Sequence, residues 1–225
     1  GGITVAGTID GTNGENEALA LESGSGAIQL QGTIGGTNPV TTLAINSTNG
    51  SAGTIEIVGI GDSDTTGASS TATIGNTSTG TLTLDGTIYK TGGNQTYVAA
   101  TGQNIDITGA ATFTTSADAI AFNTSGVDLG ANVTITTGTG TDAGTVSFGG
   151  AIEAGTAGQE TLTIDSGAGN VTFSGAIGLT NALGGLNVNA TSGDGAGTIT
   201  FSKDIGDASA GVKGTTAVGN ASTAQ

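Results

Sequence analysis

Eight consecutive residues near the start of the chain, Asp10-Gly11-Thr12-Asn13-Gly14-Glu15-Asn16-Glu17, place several oxygen-bearing side chains on one short segment. A hard cation such as Ca²⁺ is held by carboxylates, side-chain amides and carbonyls converging from a flexible loop. Asp10, Asn13, Glu15 and Glu17 are therefore candidate metal ligands, and Asp62 and Asp64 add a second candidate pair. The spacing fits neither an EF-hand loop nor the glycine-aspartate nonapeptide of calcium-bound β-rolls. A plain acidic turn explains the same residues, and calcium is the one cofactor the sequence raises.

Paired carboxylates could also serve sugar chemistry, as general acid and base flanking a glycosidic bond. The close pairs are Asp62 with Asp64, Glu15 with Glu17, and Asp204 with Asp207, all in turn-like stretches. Such sites need basic residues to hold an acidic sugar, and the chain has no Arg and only Lys90, Lys203 and Lys213. With no His and no Cys, serine triads and thiol nucleophiles are absent as well. No catalytic residue is assigned, and the expected function is non-enzymatic.

Eighteen acidic residues against three lysines give a formal charge of −15. Binding to nucleic acid or anionic lipid requires Lys or Arg at each phosphate, so neither is an expected partner. No run approaches the length of apolar chain that spans a bilayer as a helix, so membrane insertion is not expected. The sequence opens Gly1-Gly2-Ile3 without Met and is read as a mature or internal segment. Asn-x-Ser/Thr triplets recur, as at Asn76-Thr77-Ser78 and Asn132-Val133-Thr134. In a chain so rich in Asn, Ser and Thr, chance accounts for them better than glycosylation does.

These side chains must be positioned by something, and the candidates are short strands. Glycine is the commonest turn former here, at 44 residues, yet 35% of the chain is hydrophobic, which argues against disorder. Leu19-Ala20-Leu21, Leu43-Ala44-Ile45, Val133-Thr134-Ile135, Leu162-Thr163-Ile164 and Leu186-Asn187-Val188 alternate apolar and small residues, so each buries one face. A second set follows after a turn: Ile28-Gln29-Leu30, Ile55-Glu56-Ile57, Val146-Ser147-Phe148, Val171-Thr172-Phe173 and Ile199-Thr200-Phe201. A third, shorter element carries a single inward Ile at Ile9, Ile34, Ile88, Ile152 and Ile177, preceded by a glycine that permits a bend.

The segment LTIDSGAGNVTFSGAIGLTNAL from Leu162 is a close copy of LALESGSGAIQLQGTIGGTNPV from Leu19. Leu19 to Leu43 and Leu162 to Leu186 both span 24 residues. A return of that length with three short faces predicts an all-β fold, a right-handed parallel β-helix or β-solenoid of about 8–9 coils. At about 4.8 Å per stacked strand the rod would be about 40 Å long. Residues 1–206 form the solenoid in this reading, and 207–225 are an irregular tail or the start of a further coil. From 91 to 130 the alternation persists with less distinct boundaries. Tandem antiparallel β-sandwiches are the alternative, since period-two alternation does not fix strand direction. The shortage of large aromatic residues, five Phe and two Tyr, favours the narrow core of a solenoid.

The stretch Thr91-Gly92-Gly93-Asn94-Gln95-Thr96-Tyr97, followed by strands of the LTIDSGAGNVTFSGAIG type, resembles the β-strand repeats of large bacterial surface proteins. These are filamentous-haemagglutinin-like adhesins and related outer-layer or filament proteins. The resemblance implies an extracellular, cell-surface location and a segment of an adhesin, surface layer or self-assembling filament. No capping helix is visible in the sequence, and an uncapped solenoid end exposes unpaired backbone groups. Expected partners are copies of the chain, as a homo-oligomer or polymer through the solenoid ends, or further repeats, with surface glycans as a possible ligand. A carbohydrate-binding or polysaccharide-processing β-helix and a calcium-dependent assembly module are the alternatives.

Overall fold

Runs such as Ile28-Gln29-Leu30 and Val146-Ser147-Phe148 send their outer residues to one side of an extended backbone and the middle one to the other. In the computed structural model, which describes residues 1–12, 16–48, 50, 52–123, 126–189, 197–207 and 210–220, those outer residues are buried and the middle ones half-buried. All regular elements among the described residues are strands, and none is a helix.

The chain first crosses two faces of a prism with strands: β1 (Ile3–Val5) and β2 (Ala18–Leu21), then β3 (Ile28–Leu30) and β4 (Thr42–Ile45), then β5 (Ile55–Ile57) and β6 (Ala72–Ile74). Between them, the single bridged residues Ile9, Ile34 and Ile60 mark the second face. Thereafter all three faces carry strands: β7 (Leu82–Leu84), β8 (Ile88–Lys90) and β9 (Gln95–Val98), then β10 (Asn104–Ile107), β11 (Ala111–Thr114) and β12 (Ile120–Asn123). The next turns hold β13 (Gly126–Leu129), β14 (Val133–Gly138) and β15 (Val146–Phe148), then β16 (Ile152–Ala154), β17 (Thr161–Ser166) and β18 (Val171–Phe173). The chain closes with β19 (Gly185–Val188), β20 (Ile199–Phe201) and β21 (Thr216–Val218), the last within the segment read as a tail.

Every strand pairs in parallel with its counterpart one turn away, giving sheets of seven, six and eight strands on the first, second and third faces. The fold is a parallel β-solenoid of about seven turns, close to the 8–9 expected. Antiparallel sandwiches are excluded by the pairing. Register is strict: Ile28, Ile55, Leu82, Ile105, Val127 and Ile152 lie opposite one another down the first face, all buried. On the third face the column runs through rings. Tyr97, Phe122, Phe148, Phe173 and Phe201 stack with centroid separations of 5.2, 5.0, 5.4 and 4.8 Å. The few aromatic residues are thus concentrated where each gains offset-stacking contacts worth about 0.5–1.5 kcal/mol beyond burial.

Two expectations need correction. Ile88 does not point inward; it is half-buried, and Tyr89 takes the interior position. The Tyr89 hydroxyl donates to Ile57 O at 2.9 Å and accepts from Gly86 N–H at 2.8 Å, so the ring can be buried with its polar end satisfied.

The second correction concerns the repeat. Leu19 and Leu43 lie on the third face, whereas Val133, Leu162 and Leu186 lie on the second. The two copies share local geometry but are turned by one face. Ser23 N–H donates to Asn46 Oδ1 at 2.8 Å, and Ser166 N–H to Asn189 Oδ1 at the same distance. Asn46 and Asn189 both adopt positive φ, 43° and 45°. Asn76 Nδ2 donates to Asn46 O, and Asn220 Nδ2 to Asn189 O. The bridged series Ile9, Ile34, Ile60 on the second face matches Ile152, Ile177, Ile205 on the first. The likeness extends from β1 through β6 onto β15 through β21, an offset of 143 positions from Leu19 to Leu162. That separation is not a whole number of turns, so the second copy starts a third of a turn out of phase.

Candidate functional site

The loop between Ile9 and β2 holds the first group of candidate ligands. Asp10 leaves the bridged Ile9 at a corner, and its Oδ1 accepts the N–H groups of Thr37 and Asn38 at 2.8 and 3.3 Å. The carboxylate caps the loop one turn further along. Glu17 folds back over Gly11 and Thr12; the Thr12 hydroxyl holds its carboxyl below the usual range, against a smaller desolvation that raises it. Its Oε2 is screened from solvent and makes no hydrogen bond. Asn13 and Glu15 lie outside the described residues.

The duplication explains what these acids do. Glu153 occupies the place of Asp10 and accepts from Leu179, Thr180 and Asn181 N–H at 3.2, 3.1 and 2.8 Å. Glu160, in the place of Glu17, is buried and accepts from Thr156 N–H at 3.1 Å. Asp10 and Glu153 thus recur with equivalent backbone partners and build the same turn, because each accepted N–H would otherwise be unsatisfied at a bend.

Asp62 follows the same logic. Its Oδ1 accepts from Asp64 and Thr65 N–H at 2.8 and 2.6 Å, and these bonds hold its carboxyl below the usual range, with Lys90 a lesser contributor. Asp207, its counterpart in the second copy, accepts from Ala210 N–H at 3.0 Å. Asp64 is exposed. Among the described residues no three Asp or Glu side chains converge on a point where a metal ion would sit. The structure brings Asp62 beside Lys90, whose Nζ donates to Ser63 O at 2.9 Å, and does not join it to Asp10 or Glu17.

Sequence reasoning missed the most concentrated acidity. Glu56, Thr83, Asp106, Asp128 and Glu153 stand opposite one another on the outer side of the first face. Burial raises the Asp106 carboxyl, and the Asp128 charge raises it further. The signal lay in strand register, which no single run of residues reveals.

Two shallow concavities mark the outer surface. One of about 360 Å³ is lined by Thr115, Ser116, Ala117, Thr136, Thr139 and Asp142, where the register of β14 shifts between Thr136 and Gly138. The other, about 290 Å³, lies between the Asp62 turn and Ile88, Lys90, Thr112 and Thr114.

The ends differ from the sides. Inward residues of the middle turns are buried, whereas Ile3, Val5, Ile9, Leu19 and Leu21 at one end and Phe201, Val212 and Val218 at the other are only partly covered. Ile205 is 40% exposed. Comparison with protein-family models, curated proteins and solved structures finds no match for this chain.

Proposed function

We propose that the chain is a non-enzymatic, extracellular structural protein, a β-solenoid segment of a bacterial surface adhesin, surface layer or self-assembling filament. The observation that carries this reading is the stacked column itself, whose inward residues are buried turn after turn. Along its length the stacked column buries its own apolar residues and satisfies its own backbone, leaving outward Thr, Asn, Asp and Glu to water. Ile88 and Leu179 are among the few large apolar residues that the column leaves partly uncovered along its sides. Such a body is suited to span distance. The recurrent acids support the same reading, since they are occupied in holding turns.

The reading is tested on the native cells with antibodies raised against this chain and detected by immunogold electron microscopy. Gold particles on surface fibres or an outer layer are the expected result. Label confined to the cell interior, or cleavage of a polysaccharide by the purified chain, would overturn it.

A further inference from the structure

The two concavities on the outer surface adjoin, since Thr114 of one stands in register with Thr136 of the other. Ile60, Tyr89, Phe113 and Ile135 succeed one another down the second face, one on each of four turns. Eleven residues lie between Ile60 and β6 and seven between β14 and β15, against four between β8 and β9 and five between β11 and β12. The longer connections project and the shorter ones cannot. A recess about 14 Å long, three strand spacings, therefore lies between the two projecting loops.

The outer side of β8 and β11 is its floor, with Ile88, Lys90, Thr112 and Thr114. Asp62 and Ser63 form one wall, and Thr139 and Asp142 the other. The charged groups near the first wall are held in place. Asp62 Oδ1 accepts two backbone N–H groups, which orients its carboxylate, and Lys90 spends one of its three donors on Ser63 O. Between them Ile88 is half-buried, an apolar step in a polar surface. At the rim, Ala117 adopts φ 66°, a left-handed conformation that a glycine would hold without strain. Strain of this kind clusters at ligand sites.

This mixture selects a class of ligand. Asp62 and Asp142 outnumber Lys90, and the chain as a whole carries −15, so a phosphate, sulfate or uronate is repelled. A bare cation finds no cage, because among the described residues no three acids converge. A peptide adding as a strand needs a free edge, and β11 is paired on both sides, with β8 and with β14. A neutral sugar suits every group present. Its hydroxyls donate to the carboxylates and accept from the ammonium and the Thr hydroxyls, while the C–H face of a ring covers Ile88. We propose that the recess binds a short uncharged oligosaccharide, lying along the rod across β8, β11 and β14. The recess gives the adhesin form of the structural reading its ligand, and rests on that reading for its access to such glycans.

The purified chain is applied to an array of neutral hexose, N-acetylhexosamine, uronate and sulfated oligomers, and the bound glycans are titrated by calorimetry. The expected result is binding of neutral oligomers, with acidic ones at least tenfold weaker. Lys90→Met and Thr114→Tyr should each weaken binding at least tenfold at an unchanged melting temperature. Lys90→Met carries the test alone should the tyrosine disturb the sheet. Thr163→Tyr, on the outer side of β17 beyond the recess, should leave binding as it was. An array on which no neutral glycan binds, acidic glycans that bind equally well, or a loss with Thr163→Tyr as large as with Thr114→Tyr overturns the proposal. Surface labelling of cells without glycan binding removes this site and leaves the structural reading standing, whereas glycan binding by a chain found only inside cells does the reverse.

Discussion

Asp106 and Asp128 stand directly opposite each other on β10 and β13, both half-buried on the outer side of the first face. Asn104 Nδ2 donates to Asp128 Oδ2 at 2.7 Å. Burial first, and the Asp128 charge second, raise the Asp106 carboxyl above its usual value. A raised folded-state value means that its favourable contribution is complete below the unfolded value and is lost as pH rises through the folded one. Acidification from neutral through the ordinary carboxylate range should therefore relieve this pair. Asp106→Asn should raise stability at pH 7 by about 0.2–0.5 kcal/mol, the lower part of the range for opposed like charges because water screens the pair. Urea denaturation across pH 4 to 7 checks both points, and the variant should lose part of the pH dependence.

Tyr89→Phe removes a buried hydroxyl that serves two backbone groups. Gly86 N–H loses its acceptor, so the loss should be about 1–3 kcal/mol although the ring is retained. Chemical denaturation followed by circular dichroism measures it.

Asn189 combines positive φ with a side-chain oxygen that accepts from Ser166 N–H. Asn189→Ala should cost about 2–5 kcal/mol, the sum of a left-handed backbone penalty and a lost buried acceptor. Asn189→Gly should cost less, since it restores only the backbone freedom. Equal losses in thermal melts would show that the backbone conformation contributes nothing.

Phe148 lies between Phe122 and Phe173, whereas Phe201 ends the same column and is only partly buried. Phe148→Ala should destabilise by about 3–5 kcal/mol, and Phe201→Ala by clearly less in the monomer.

Calcium at millimolar concentration should leave the melting temperature unchanged, because Asp10 and Asp62 already accept backbone N–H groups. A rise that disappears in Asp10→Asn would place a metal on that loop.

Alternation at sites such as Ile55-Glu56-Ile57 made burial legible directly, because side-chain parity in a strand is fixed by geometry. The return from Leu19 to Leu43 disclosed the stacking, and those residues are neighbours in register. Parity does not say which face a strand occupies. Leu43 and Leu186 therefore read alike in sequence yet lie on different faces, because the intervening turns vary in length. Ile88 misled for a related reason: β8 is an isolated alternation of Ile-Tyr-Lys, and only the partners waiting for the Tyr89 hydroxyl decide which neighbour goes in. The candidate acids were legible as turn residues. Their shared role became visible only when Asp10 and Glu153 could be compared in place.

The third-of-a-turn offset has a consequence for what the rod displays. The loop capped by Asp10 leaves the body in one direction, and its duplicate capped by Glu153 leaves in another. One kind of acid-capped loop is thereby shown to two different sides of a single column, so an encounter from either side meets the same chemistry.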